Sequence, residues 1–104
     1  MLKRYTVRLQ PRARDDIVNI VAHIGEQSED DYIGDLWEAS VYEQLQRLDC
    51  FPNSYPTFSI QPYRKMIHGR YIIVFRVNDE LREVQVCRVF HAARLVESIG
   101  PLEV

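Results

Sequence analysis

The sequence predicts an α+β domain of two layers, ordered β-α-α-β-β-β. An antiparallel meander sheet lies under a helical hairpin, and a short C-terminal helix or tail closes the chain. Three observations predict this. Residues 63–94, YRKMIHGRYIIVFRVNDELREVQVCRVFHAAR, hold three strand-like runs separated by two turns. Residues 11–48 hold two apolar stripes at helical spacing. Residues 3–10 alternate, so one strand stands apart from the meander. That strand is expected to pair within the meander, leaving both helices on one face of a single sheet.

Lys3 to Gln10 puts Tyr5, Val7 and Leu9 on one side and Arg4, Thr6 and Arg8 on the other, a half-buried strand. Pro11 fits the first turn of a helix, where its missing N–H costs nothing. Ala13, Ile17, Ile20, Val21 and Ile24 form the core stripe of that helix, and Asp15 and Asp16 favour its N-terminal end. Gly25 is the expected stop. His23 falls off the stripe and reads as a surface histidine. Ser28 with Asp31 resembles a capping box. Ile33, Leu36, Trp37, Val41, Leu45 and Leu48 then make a second stripe of about five turns, which Pro52 ends. Trp37 and Tyr42 read as core aromatics, with partner contact as the other reading. Residues 51–62, with three prolines, are expected to be a loop crossing back to the sheet.

In the meander, Tyr63 to Ile67 is a short strand turning at His68-Gly69. Arg70 to Val77 is a β-branched and aromatic run closed by Asn78-Asp79-Glu80. In residues 81–90, Val84, Val86 and Phe90 share one parity, and Leu81, Cys87 and Val89 the other. Folding this hairpin about Asp79 places Arg88 roughly opposite Arg70. Two guanidinium groups so placed repel unless an anion lies between them or each has its own carboxylate.

At 104 residues the chain is expected to be one domain, 1–104, burying about two-thirds of its unfolded surface. No apolar run approaches the ~20 residues of a membrane span. The N-terminus lacks the apolar core of a signal peptide. Cys50 and Cys87 match no metal or redox spacing and read as free thiols in a reducing cytoplasm, with no metal or cofactor expected. The net charge of −2 is unevenly spread. Residues 26–49 hold eight acids against Arg47 alone, and residues 63–94 hold seven bases against three acids. The pattern suits an acidic or nucleic-acid partner on the sheet side, or two solvated faces.

Several stretches together resemble the RelE/ParE toxin superfamily of bacterial type II toxin–antitoxin systems. They are Gln10-Pro11-Arg12-Ala13-Arg14-Asp15-Asp16-Ile17, the second helix ending in Leu48 before Pro52, Arg64 with Gly69-Arg70-Tyr71-Ile72-Ile73-Val74-Phe75-Arg76-Val77, and Val86-Cys87-Arg88-Val89-Phe90-His91-Ala92-Ala93-Arg94. The likeness covers nearly the whole chain and lies in order and spacing. Leu95 departs from it, since many relatives have Asp after the arginine. The resemblance implies a toxin held inactive in a hetero-oligomer with a cognate, ParD-like antitoxin. It also implies one of two activities: mRNA cleavage on the ribosome, as in the RelE-like branch, or poisoning of DNA gyrase, as in the ParE-like branch.

Attack by a ribose 2′-OH needs a general base, a general acid and cationic stabilisation of the phosphorane. Arg70, Arg88, His91 and Lys65, with His68, offer stabilisation. Ala92 and Ala93, where relatives with nuclease activity carry an acid–base group, offer none. The ParE-like branch is therefore favoured. Arg64, Arg70, Arg88, His91, Arg94 and Trp37 are the candidate target- or antitoxin-binding residues. Two readings stand for Arg88, contact with a target or a pair with Asp15 or Asp16, and two for His91, function or satisfaction of backbone groups. Arg76 and Arg82 are expected to be solvated.

Overall fold

The computed structural model describes residues 4–59 and 61–94, Arg94 by its backbone alone. Strand β1 is Thr6–Leu9, helix α1 Pro11–Ser28, helix α2 Asp31–Gln46, strand β2 Tyr63–His68, strand β3 Tyr71–Asn78 and strand β4 Glu83–His91. Short 3-10 turns occupy Arg47–Asp49, Pro52–Ser54 and Ala92–Arg94. The α+β order is the predicted one. The sheet runs β1-β4-β3-β2, with the meander antiparallel and β1 parallel to β4, Thr6 beside Glu83 and Leu9 beside Val86.

Ala13 and Ile17 of α1 and Val41 and Leu45 of α2 pack with Leu48 against Met66, Ile73, Phe75, Val84, Val86 and Val89 of the sheet. The opposite sheet face carries a smaller cluster, in which Phe58 of the crossing loop covers Ile72 and Val74 beside Tyr63 and Phe90. Val89, not Phe90, joins the helix-side core, contrary to simple parity. Val74 pairs with Arg88 while Phe75 pairs with Val86, so Cys87 is an additional bulge residue that shifts the alternation by one. Burial pushes the Cys87 thiol up to about 11, so it is inert; Cys50 is free as well.

The hairpin corrects three expectations. α1 passes through Gly25 and stops at Ser28, because Glu29 takes the left-handed conformation (φ 56°) and the N–H of Asp30 reaches back to Gly25 O at 3.2 Å. The cap of α2 is Asp30, whose side chain accepts from Tyr32 N at 3.0 Å; Ser28 instead donates to Ile24 O of its own helix at 2.8 Å. Ile33 and Leu36 are exposed, and buried Gly34 opens the inner face of α2. A Cβ on Gly34 would stand 2.8 Å from Val21 O of α1, so the helices cross backbone to backbone there. Gly34→Ala should accordingly destabilise the protein by about 1–3 kcal/mol, outweighing the ~1 kcal/mol that alanine gains in helix propensity. A melting temperature at or above the parent's would show that the helices part freely.

The β1 end is stitched by polar groups. Tyr5 Oη donates to Asp79, Asn53 Nδ2 donates to the same carboxylate at 3.0 Å, and Arg82 lies over the Tyr5 ring and donates to its hydroxyl. Arg76 donates to Gln85 Oε1 at 2.7 Å, so neither Arg76 nor Arg82 is the solvated residue expected. The Tyr5 and Asn53 bonds hold the Asp79 carboxyl below its ordinary range. A depressed folded-state pKa stabilises above the unfolded value, about 3.9, and that stabilisation is lost as pH falls through the folded value. Below about pH 4, stability should fall less steeply in Asp79→Asn than in the parent. Coincident acid limbs in the two melting profiles would show that the carboxylate contributes nothing there.

Candidate functional site

β1 stops at Leu9, so the outer edge of β4 beyond Val86 has no strand beside it. α1 runs past that edge. Asp16 takes the place of the missing strand, its Oδ2 accepting from Val89 N at 2.9 Å and from Arg88 Nε at 2.8 Å while Oδ1 accepts from Arg88 Nη2 at 3.1 Å. Both side chains are largely buried, 17% exposed for Arg88 and 16% for Asp16. The carboxylate bond holds the Arg88 guanidinium above its ordinary pKa. Arg88 is thus half of a two-pronged ion pair, the structural of its two readings.

Arg70 is not opposite Arg88. The strands pair Asn78 with Glu83 and Tyr71 with His91, and Arg88 faces Val74. The turn is therefore centred between Glu80 and Leu81 rather than on Asp79, and the bulge moves the register further. Arg70 is exposed in the β2–β3 turn and uses its carbonyl to accept from Ala92 N at 2.8 Å. The register instead sets Lys65 beside Val74 and Val74 beside Arg88. Lys65 and Arg88 so stand in one row, about 10 Å apart by two inter-strand spacings.

The same end of the sheet carries a run of rings. Trp37 is half-buried, 5.0 Å from Tyr71 and 6.2 Å from His68, and the Tyr71 ring meets His91 edge-on at 5.3 Å. His91 Nδ1 accepts from Ala93 N at 3.1 Å, which leaves Nε2 to carry the proton of the neutral ring. Arg64 donates to Tyr55 O at 2.7 Å and pins the crossing loop. The Arg94 side chain and Leu95 lie outside the described residues.

Between α1 and the end of β4 opens a cleft of about 430 Å3, with Asp16, Asn19 and His23 on the helix and Tyr71, Arg88 and His91 on the sheet. Of the candidate residues, Arg88 and His91 meet here, Trp37 backs the cleft through Tyr71, and Lys65, Arg64 and Arg70 lie elsewhere. Asn19, His23 and Tyr71 were not singled out by sequence. The available signal was spacing, since Asp16, Asn19 and His23 fall on one flank of α1 beside the core stripe. The cleft is of mixed character, with Ile20, Val89 and Phe90 beside two imidazoles and an amide, and its guanidinium is already neutralised. It suits hydrogen bonding to a protein surface better than gripping a phosphate.

Solved structures share this fold. A chain of the toxin–antitoxin complex RelBE2 from Mycobacterium tuberculosis aligns with 24% identity and a TM-score of 0.63, over 85% of this chain and 98% of that one. A chain of the chromosomal ParDE system of P. aeruginosa aligns with 16% identity and a TM-score of 0.74, over 84% and 95%. No curated protein sequence matches the chain. The family model for the ParE toxin of the type II toxin–antitoxin system parDE matches residues 7–96. The chain belongs to that ParE toxin family.

Proposed function

We propose that this toxin acts on DNA gyrase in the cytoplasm and is neutralised by a cognate antitoxin of the ParD kind. The observation that carries the reading is the state of the basic residues. Arg88 is bound by Asp16 and His91 Nδ1 by the Ala93 backbone, and Lys65 is two strands away. Phe58, Ile72, Val74 and Phe90 make an apolar cluster on that sheet face. Of the residues named for 2′-OH attack, Arg88 and His91 share the cleft but the Arg88 charge there is already paired, and Lys65 and Arg70 stand outside it, which leaves cationic stabilisation of a phosphorane weak among the described residues. Both structural neighbours come from toxin–antitoxin pairs, which supports an antitoxin partner here. Among the described residues no helix is long and apolar enough to cross a membrane.

Purified toxin should inhibit gyrase supercoiling and leave ribosome-bound mRNA intact. Codon-specific cleavage in a translating extract would overturn the reading in favour of an mRNA endoribonuclease. Induced expression should arrest growth; unimpeded growth would mark a decayed toxin that only binds antitoxin.

A further inference from the structure

The helix-free face of the sheet divides in two. Around Ile72 and Val74 it is apolar and capped by Phe58. Toward β1 it is polar, and the register sets Arg8, Gln85, Arg76 and Tyr63 in one row across all four strands. Their chain neighbours Val7, Val84 and Phe75 pack on the helix side, so the members of this row point the other way. Two inter-strand spacings put Arg8 and Arg76 about 10 Å apart. Lys65 shares the face, paired with Val74, and stands one diagonal step from Arg76, about 7–8 Å.

The charges on this half of the face are held in place but not cancelled. Arg76 donates through Nε to Gln85 Oε1 at 2.7 Å, and a neutral amide orients a guanidinium without neutralising it. Arg8 donates through Nε to Glu83 Oε2 at 2.8 Å. The Glu83 side chain is 18% exposed and that of Arg8 62%, so the carboxylate lies beneath and the cation faces water. Lys65 has no ion pair among the described residues. Arg88, on the same face, is neutralised by Asp16. In the adjoining turn the Asp79 carboxylate is taken by Tyr5 and Asn53, and exposed Glu80 bounds the surface there. The helix layer carries the opposite sign, with eight acids against one base in residues 26–49. The domain is thus polarised across its two layers.

We propose that the surface formed by Arg8, Arg76 and Lys65 seats the phosphate backbone of duplex DNA, the polymer that gyrase itself holds. Cations about 7–10 Å apart on a rigid sheet give neighbouring phosphates fixed partners, and guanidinium forks match phosphate oxygens. A duplex fits this face better than a single strand. Single strands are held by stacking bases on free rings, but Phe58 is only 7% exposed and Phe90 packs against it. Contact through phosphates alone carries no base preference. The proposal deepens the gyrase reading and rests on it for the source of the DNA.

The probe is a short labelled DNA duplex of mixed sequence, added to purified toxin without gyrase and followed by fluorescence anisotropy over a salt series. Binding should be micromolar at low salt, and log affinity should fall against log salt with a slope of about −3, roughly one unit per neutralised phosphate. Arg76→Ala and Lys65→Ala should each reduce that slope by about one, whereas Arg76→Lys should keep it. Arg47→Ala, which removes an exposed cation beyond α2, should change nothing. If Arg76→Ala fails to fold, Lys65→Ala and Arg8→Ala decide. Unchanged slopes in these variants overturn the surface. So does a single-stranded RNA of equal length that binds more tightly than the duplex, which would assign the face to RNA. A toxin that inhibits gyrase without binding the duplex overturns the proposal and leaves the gyrase reading standing. A toxin that binds the duplex with this slope and does not inhibit gyrase upholds the surface and overturns that reading.

Discussion

Asp16→Ala should destabilise the toxin by about 3 kcal/mol, roughly 15 °C in melting temperature. The substitution leaves the Arg88 guanidinium and the Val89 N–H without their acceptor in a largely enclosed place. Losing one member of such a pair costs more than the pair contributes, because the survivor remains dehydrated. Asp16→Asn keeps an oxygen for the Val89 N–H and should cost about half as much. A double-mutant cycle with Arg88→Ala should return a coupling of about 1–3 kcal/mol, as expected for directly bonded partners. Equal melting of parent and Asp16→Ala would show that water replaces the carboxylate freely. Loss of growth arrest in Arg88→Ala therefore has to be judged against its melting temperature, whereas exposed Arg70→Ala should melt like the parent.

Phe75→Ala should be comparably or more severe, about 3–5 kcal/mol. Phe75 is fully buried in the middle of β3, and its ring meets Tyr55 edge-on at 5.6 Å. Truncation removes the apolar contact, opens a cavity and unseats the crossing loop that Tyr55 anchors. Against the 5–15 kcal/mol typical of a small domain, the loss would leave the chain marginally folded at best. The check is denaturant unfolding, where the midpoint should fall with the slope preserved. A shift below about 1 kcal/mol would mean that neighbouring side chains collapse into the space.

The secondary structure was legible because periodicity reports burial directly. The Ala13–Ile17 stripe and the β-branched run of β3 have nothing else to be. The failures share a cause: each depended on how two elements meet. Cys87 offers no local sign that it is a bulge, so parity misassigned Val89 and Phe90, and the register of Arg70 and Arg88 went with it. Gly25 reads as the stop of α1 and Gly34 carries no signal until the other helix is set against them. Ile33 and Leu36 satisfy the helical period of a core stripe and yet face outward, since the period does not say how much of an apolar stripe the sheet reaches. Of the site, Arg88 and His91 could be named from sequence, and the Asp16 pairing was one of two readings. The cleft's far wall, with Asn19 and His23, could not be seen without knowing that α1 passes the free edge of β4.

The parallel pairing of β1 with β4 has a temporal consequence. The two strands come from opposite ends of the sequence, and β4 also supplies the Arg88 and Val89 groups that Asp16 holds. On the ribosome, at about 5–20 residues per second, the nascent chain displays both helices and three strands before anything exists to close the sheet. During those seconds the apolar faces of the hairpin and of β3 await the last strand. Synthesis thus imposes a delay between the appearance of the helices and the first moment at which a finished toxin can exist, and an antitoxin already in the cell has that interval in which to arrive.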